Sequence, residues 1–380
     1  MYTIRNFGDM VGDANRFEAY AKAISATVRP GDAVLEIGCG PAVFSFLACQ
    51  AGARRVYAIE TEEVVNLAKT LCTENGLADR VQFIQRDSRK TVLPERVKVI
   101  ISDIRGTLPF FDHAIPSIND ARERFLLPDG IVIPQRDTLK VVVVDAREFY
   151  GSITSPWITS VPSLKLSAAL PSVLNSCHSM RFKDLVQLAV PQTWCVLDYG
   201  RKTPARAGGE MTFVVTRKGI GHGLCLWFDT VLFENIGFSA GPGGEAKIYG
   251  QLFLPWAEHV DLTEGQEIHV KLDADLVGKD YIWRWETDIS LKDGRPGKHF
   301  RQSTFEGADL SPQSLRRHAT SHVPVLTEEG EADRFLLQEM NGTATLQQIS
   351  EKAAERFPNV YPGSDEAFQR AAELARQFSR

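Results

Sequence analysis

The 380-residue chain has no CxxC pair: its six cysteines (Cys39, Cys49, Cys72, Cys177, Cys195 and Cys225) are scattered. That argues against a zinc site and a disulfide framework, so no metal is expected, and it fits a reducing compartment. No apolar run reaches membrane-spanning length and no signal-peptide layout opens the chain, so a soluble, cytoplasmic protein without a membrane partner is expected. Positive charge is not in excess either. The net charge is -5, so no global basic field recruits nucleic acid. Low-complexity tracts and internal repeats are missing as well. What remains is enough chain for two or three domains and a large core.

The rest is organised around Val34 to Glu60, VLEIGCGPAVFSFLACQAGARRVYAIE. Val34 to Ile37 is a short apolar run of the kind buried in a parallel sheet. Gly38-Cys39-Gly40 follows at once, where glycine permits a sharp turn and lets a ligand lie against the backbone. A helix with much apolar surface comes next, then a second strand from Arg55 ending in Glu60. A carboxylate at that strand end suits the two ribose hydroxyls of an adenosine ligand. A dinucleotide turn would read G-x-G-x-x-G, whereas Pro41, Ala42 and Val43 follow Gly40 here. Glu36 would also set a negative charge beside any pyrophosphate. E-x-G-x-G instead suits a phosphate-free, positively charged ligand such as S-adenosylmethionine.

Residues 1–30 are expected to be helical, with Met10, Asp13, Arg16 and Tyr20 at helical spacing and Pro30-Gly31 closing the segment. Arg16 is either a solvated charge or a partner for a ligand carboxylate. From 31 to 134 strands (33–37, 55–59, 81–85, 97–102) alternate with helices (41–51, 62–75, 114–126), which predicts a doubly wound, Rossmann-like sheet binding ligands at the strand carboxyl ends. Asp87 and Ser88, after the third strand, either receive the adenine amino group or form an ordinary polar loop. The fourth strand runs into Asp103, Arg105, Asp112 and His113. Carboxylates at the mouth of a methyl-donor site can hold an amine or cation and remove its proton. His113 is read as a surface or helix-start residue, or as a base. From 135 to 305 alternating runs predict an antiparallel β-barrel or sandwich, interrupted at 155–190 by a Ser-, Pro- and Leu-rich arm. Residues 306–322 read as a linker. Residues 323–380 read as a small helical domain, with Thr343 or Thr345 as a cap and Leu346, Ile349, Ala353 and Phe357 as its apolar stripe.

The first 300 residues resemble the protein arginine methyltransferase family. Met10, Asp13, Arg16 and Tyr20 match its N-terminal helix. VLEIGCG with AGARRVYAIE matches its cofactor motif, SDIRGTLPFFDHA its double-glutamate hairpin, and FLLPDGIVIPQRDTL its passage into the barrel. The resemblance implies S-adenosylmethionine as cofactor, with S-adenosylhomocysteine as product. It implies that Arg16 contacts the donor carboxylate, that Glu60 holds the ribose, and that Glu36, Gly38, Cys39, Gly40, Asp87, Ser88 and Asp103 also line the donor site. It further implies homodimers through an arm, for which 155–190 is the candidate.

The departures from the family pattern are on the acceptor side. Both hairpin glutamates are aspartates, Asp103 and Asp112, each one methylene shorter and less able to clamp a guanidinium. Arg105 stands where the family has a bulky residue, and is expected to compete for those carboxylates or repel a cationic acceptor. The histidine of the family's Thr-His-Trp loop is missing near Lys247-Ile248-Tyr249, which leaves Tyr249 among the acceptor-side residues. Arg105 therefore suits a carboxylate, an amide or an imidazole as acceptor, with His113 as a candidate base. The tail is similar to the helical part of the small winged-helix domain of the pyrroloquinoline-quinone biosynthesis type, whose relatives bind leader peptides. The expected function is methyl transfer to a peptide or protein, at an acceptor that need not be arginine. The alternatives are a small-molecule acceptor and an inactive, cofactor-binding scaffold.

Overall fold

A computed structural model describes residues 2–159, 161, 163–181, 185–244, 248–291, 295–308, 311–317 and 319–379. The chain divides into two compact units, Met1–Ala308 and Asp309–Arg380.

The first unit opens with α1 (Ile4–Val11) and α2 (Ala14–Thr27). The single helix expected from the spacing of Met10, Asp13, Arg16 and Tyr20 is broken at Gly12. Asp13 caps the second helix instead, its side chain accepting from the Arg16 backbone N–H. Next come β1 (Ala33–Ile37), α3 (Val43–Gln50), β2 (Arg55–Glu60), α4 (Val65–Glu74), β3 (Val81–Gln85), β4 (Val97–Ser102), α5 (Ala114–Phe125) and β5 (Leu126–Ile133). The five strands pair in parallel in the order β3-β2-β1-β4-β5. Strand β1 is buried throughout because both faces are covered, and it is apolar except for Glu36. Leu35 and Ile37 pack towards Ile115 and Ile118 of α5, whereas Val34 packs with Ala23 and Ile24 of α2.

The strand-rich half begins at β6 (Arg136–Asp145) and builds two antiparallel sheets. Strands β7 (His178–Met180), β8 (Val186–Gln187), β9 (Gln192–Asp198), β11 (Gly219–Phe233), β12 (Ile236–Ser239) and β13 (Gln251–Leu262) join β6 in one sheet. The other holds β10 (Arg206–Val214), β14 (Glu267–Val277), β15 (Asp280–Ser290) and β16 (Pro296–Ser303). Leu139, Leu226, Trp256 and Trp285 from the two sheets share one core with the α5 face of the parallel sheet. That continuity places the carboxyl ends of β1, β2 and β4 against the barrel-like half. The 155–190 segment contains a short helix, Leu170–Leu174, and exposes Trp157, Ile158 and Leu164. Residues 160, 162 and 182–184 of this arm lie outside the described ones.

Residues Thr304–Gly307 and Pro312–Arg317 are short helices, the first reaching into and the second lying within the 306–322 stretch read as a linker. The second unit has helices Glu328–Glu339, Leu346–Arg356 and Ser364–Phe378 around Leu336, Ile349, Ala353 and Leu374. Thr345 caps the middle one in a capping box with Gln348. Among the described residues of this unit there is no strand.

Candidate active site

A cavity of about 800 Å³ opens at the carboxyl ends of β1, β2 and β4. One wall is the turn after β1. Gly38 and Gly40 have φ of 70° and 52°, the left-handed region that glycine tolerates. A Cβ on Gly40 would lie 2.9 Å from Phe7 Cε1, and one on Gly38 would overlap Ile104 Cγ2. The Gly38 and Cys39 N–H groups both donate to the Ile59 carbonyl, which pins the turn to the end of β2 (2.9 and 3.0 Å). Burial pushes the Cys39 thiol up, so it is no nucleophile.

Glu60 sits beside that turn and is nearly buried. Its Oε2 accepts from the Gly40 N–H at 2.8 Å, and its Oε1 accepts from Thr61 and Glu62 at 2.7 and 3.0 Å. The carboxylate is thus aimed by backbone; three of its roughly four acceptor sites are taken, which leaves one, on Oε2, for a ligand hydroxyl. Glu36 is buried and accepts from the Ser45 hydroxyl. Burial pushes its carboxyl up to about 8. A positively charged ligand would return it to the ionised form. Asp87 is held by the backbone and guanidinium of its neighbour Arg89, and Ser88 is buried beside it on the cavity wall.

The opposite wall is an ion network. Arg16 approaches Asp103 with Nε and Nη2 at 2.6 and 2.5 Å, and donates from Nη1 to the Met10 carbonyl. Tyr249 donates its hydroxyl to Asp103 (2.6 and 2.7 Å) and accepts from Arg16 Nε. Arg105 binds the other Asp103 oxygen through Nε and Nη2, at 3.1 and 2.9 Å. It also donates from Nη1 to Asp137 (2.8 Å) and Thr230 (3.0 Å), and from Nη2 to Tyr20 (2.8 Å). Every N–H of its guanidinium therefore has an acceptor. Burial alone would raise the Asp103 carboxyl, but Arg16 and Arg105 prevail and hold it below the usual carboxylate range.

These contacts revise several expectations. Arg105 does compete for Asp103, but it is buried, saturated and neutralised by Asp137, so it offers nothing to a ligand directly. Asp103 and Asp112 are not equivalent partners in a clamp. Asp112 occupies a left-handed turn (φ 41°), and its side chain is about half exposed, 3.9 Å from His113. His113 precedes α5 without capping it, on the wall of the same cavity. Lys247 lies outside the described residues. Ile248 donates its N–H to Asp13 at 3.1 Å, tying the start of α2 to the segment that carries Tyr249. Sequence reasoning missed Asp137, Tyr199 and Thr230. Asp137 is fully buried, with Tyr199 donating to it at 2.8 Å. An acid inside an apolar strand was the available signal.

Three kinds of comparison bear on this arrangement. The family model described as ribosomal protein L11 methyltransferase (PrmA) matches residues 19–133. Protein arginine N-methyltransferase 6 of Xenopus laevis is 28% identical over 287 residues, covering 71% of this chain and 81% of the relative. Protein arginine N-methyltransferase 2 of Dictyostelium discoideum is 31% identical over 165 residues, covering 43% of this chain but 32% of the relative. Among solved structures, the Trypanosoma brucei PRMT1 enzyme–prozyme heterotetrameric complex with AdoHcy superposes with a TM-score of 0.70. It is 19% identical and covers 77% of this chain and 95% of that one. Arabidopsis thaliana protein arginine methyltransferase 10 gives 0.69 at 19% identity, covering 79% and 97%. The fold is thus shared across both halves of the first unit.

Proposed function

The chain is an S-adenosylmethionine-dependent methyltransferase similar to the protein arginine methyltransferases, and we propose that its acceptor is a side chain of a peptide or protein. The donor fits the cavity by its donor set: a turn without side chains, a carboxylate for a ribose hydroxyl, and a buried acid for a cationic group. Glu36, Gly38, Cys39, Gly40 and Glu60 would hold it, with Asp87 and Ser88 at the adenine end. Arg16, which keeps an N–H on each amino group beyond those bound to Met10 and Asp103, would meet its carboxylate. When bound, S-adenosylmethionine supplies an activated methyl group on a sulfonium. The chain's own part is to orient the acceptor and exclude water. Residues 1–134 would carry the donor and 135–305 would shape the acceptor side. The 323–380 unit would hold a peptide and raise the local concentration of its acceptor.

The observation that carries this reading is Glu60, aimed by three backbone N–H groups at the end of β2 beside the glycine turn. The relatives named for arginine methylation in proteins support a polypeptide acceptor. The exposed Trp157, Ile158 and Leu164 support pairing of two copies through the arm. Incubating the full chain with tritium-labelled S-adenosylmethionine and a random peptide mixture tests it. Label is expected in peptide. Donor binding with no label in any peptide would leave the small-molecule or scaffold alternatives.

A further inference from the structure

We propose that the acceptor group is a carboxylate, converted to a methyl ester, and that it lies in the smaller cavity beside Tyr249; this rests on the reading above, that a polypeptide side chain is methylated. A guanidinium acceptor needs free carboxylate lone pairs to hold it and a base to take the proton that methylation releases. Among the described residues lining the smaller cavity neither is present. Both oxygens of Asp103 are occupied by Arg16, Arg105 and Tyr249. The same two guanidiniums keep it ionised at low pH, which makes it a weak proton acceptor. Asp112 and His113 border the donor cavity but not the smaller one.

The smaller cavity, about 370 Å³, adjoins the donor cavity and shares Arg105 and Tyr249 with it. Its own walls carry Thr107, Ser179 and Arg181. The Thr107 and Ser179 hydroxyls are 2.6 Å apart, so one donates to the other and a hydroxyl hydrogen is left over for a ligand. Arg181 is exposed and has one long contact, to the Ile248 carbonyl at 3.5 Å. Among the described residues no Asp or Glu lines this cavity. A cation entering it meets hydroxyls and a guanidinium, whereas a carboxylate meets donors.

The chemistry balances without a base. A carboxylate oxygen forms the new bond to the methyl carbon with its own lone pair. The electron pair of the broken methyl–sulfur bond goes to sulfur. The negative oxygen and the positive sulfur both become neutral, and no proton leaves.

The test uses the full chain saturated with S-adenosylhomocysteine, titrated with glutarate and separately with ethylguanidinium. Glutarate is expected to bind more tightly by about tenfold or more. Arg181→Gln is expected to erase that preference while leaving S-adenosylhomocysteine affinity unchanged. Tighter binding of ethylguanidinium, no binding of glutarate, or an unaltered preference in Arg181→Gln would overturn the assignment. As a second readout, label transferred to peptides is expected to be released as volatile methanol by mild base. Label that resists base would overturn the carboxylate while leaving methyl transfer to peptides intact. Failure of S-adenosylhomocysteine to bind at all would instead remove the underlying reading.

Discussion

The donor side and the acceptor side of the site are held in opposite ways. On the donor side backbone does the positioning: the Gly38–Gly40 turn hangs from Ile59, and Glu60 is fixed by the N–H groups of Gly40, Thr61 and Glu62. On the proposed acceptor side the positioning is done by side chains brought from far apart, with Asp103 shared between Arg16 and Arg105 and Asp137 paired with Arg105. Backbone positioning tolerates changes of neighbouring side chains. A buried ion network does not, because removing one member strands the others without compensation.

The sharpest way to break this contrast is Arg105→Met, which leaves Asp137 buried without its counter-charge. The expected loss is about 3–5 kcal/mol of folding stability, read from denaturant unfolding. Arg105→Met combined with Asp137→Ala removes both charges and is expected to recover most of that loss. If the double variant is as unstable as the single one, the network is not the unit described here. A second effect tests the donor side through pH. The folded Glu36 carboxyl, at about 8, lies above its ordinary value. Its contribution to stability is therefore fully present in acid and is lost as pH rises towards 8, on the order of 5 kcal/mol. Melting followed across that range should show the decline, and Glu36→Gln, which mimics the protonated form, should flatten it. An equal decline in both proteins would place the titrating group elsewhere.

The same contrast explains what the sequence made legible. The parallel sheet was readable because β1, β2 and β4 are short, mostly apolar and almost entirely buried runs. The donor turn was readable because Gly38, Gly40 and Glu60 lie within one strand–helix–strand unit. The network around Arg105 was not, because its partners Tyr20, Asp137 and Thr230 come from α2, β6 and β11. No local spacing announces such a cluster. Arg105 was visible as a departure from the family pattern, but its saturation required the fold. The break at Gly12 was hidden for a related reason. Asp13 satisfies helical spacing while serving as a cap, and its second contact, to Ile248, is also long-range.

The most direct measurement is a calorimetric titration of the full chain with S-adenosylhomocysteine, native beside Glu60→Ala. The account predicts micromolar binding by the native chain, about -8 kcal/mol. In Glu60→Ala that affinity should weaken by about tenfold or more, or 1.4 kcal/mol, with α/β structure retained in circular dichroism. Equal affinity in the two proteins, or no heat from the native chain, would contradict a donor site built on the Gly38–Gly40 turn and Glu60.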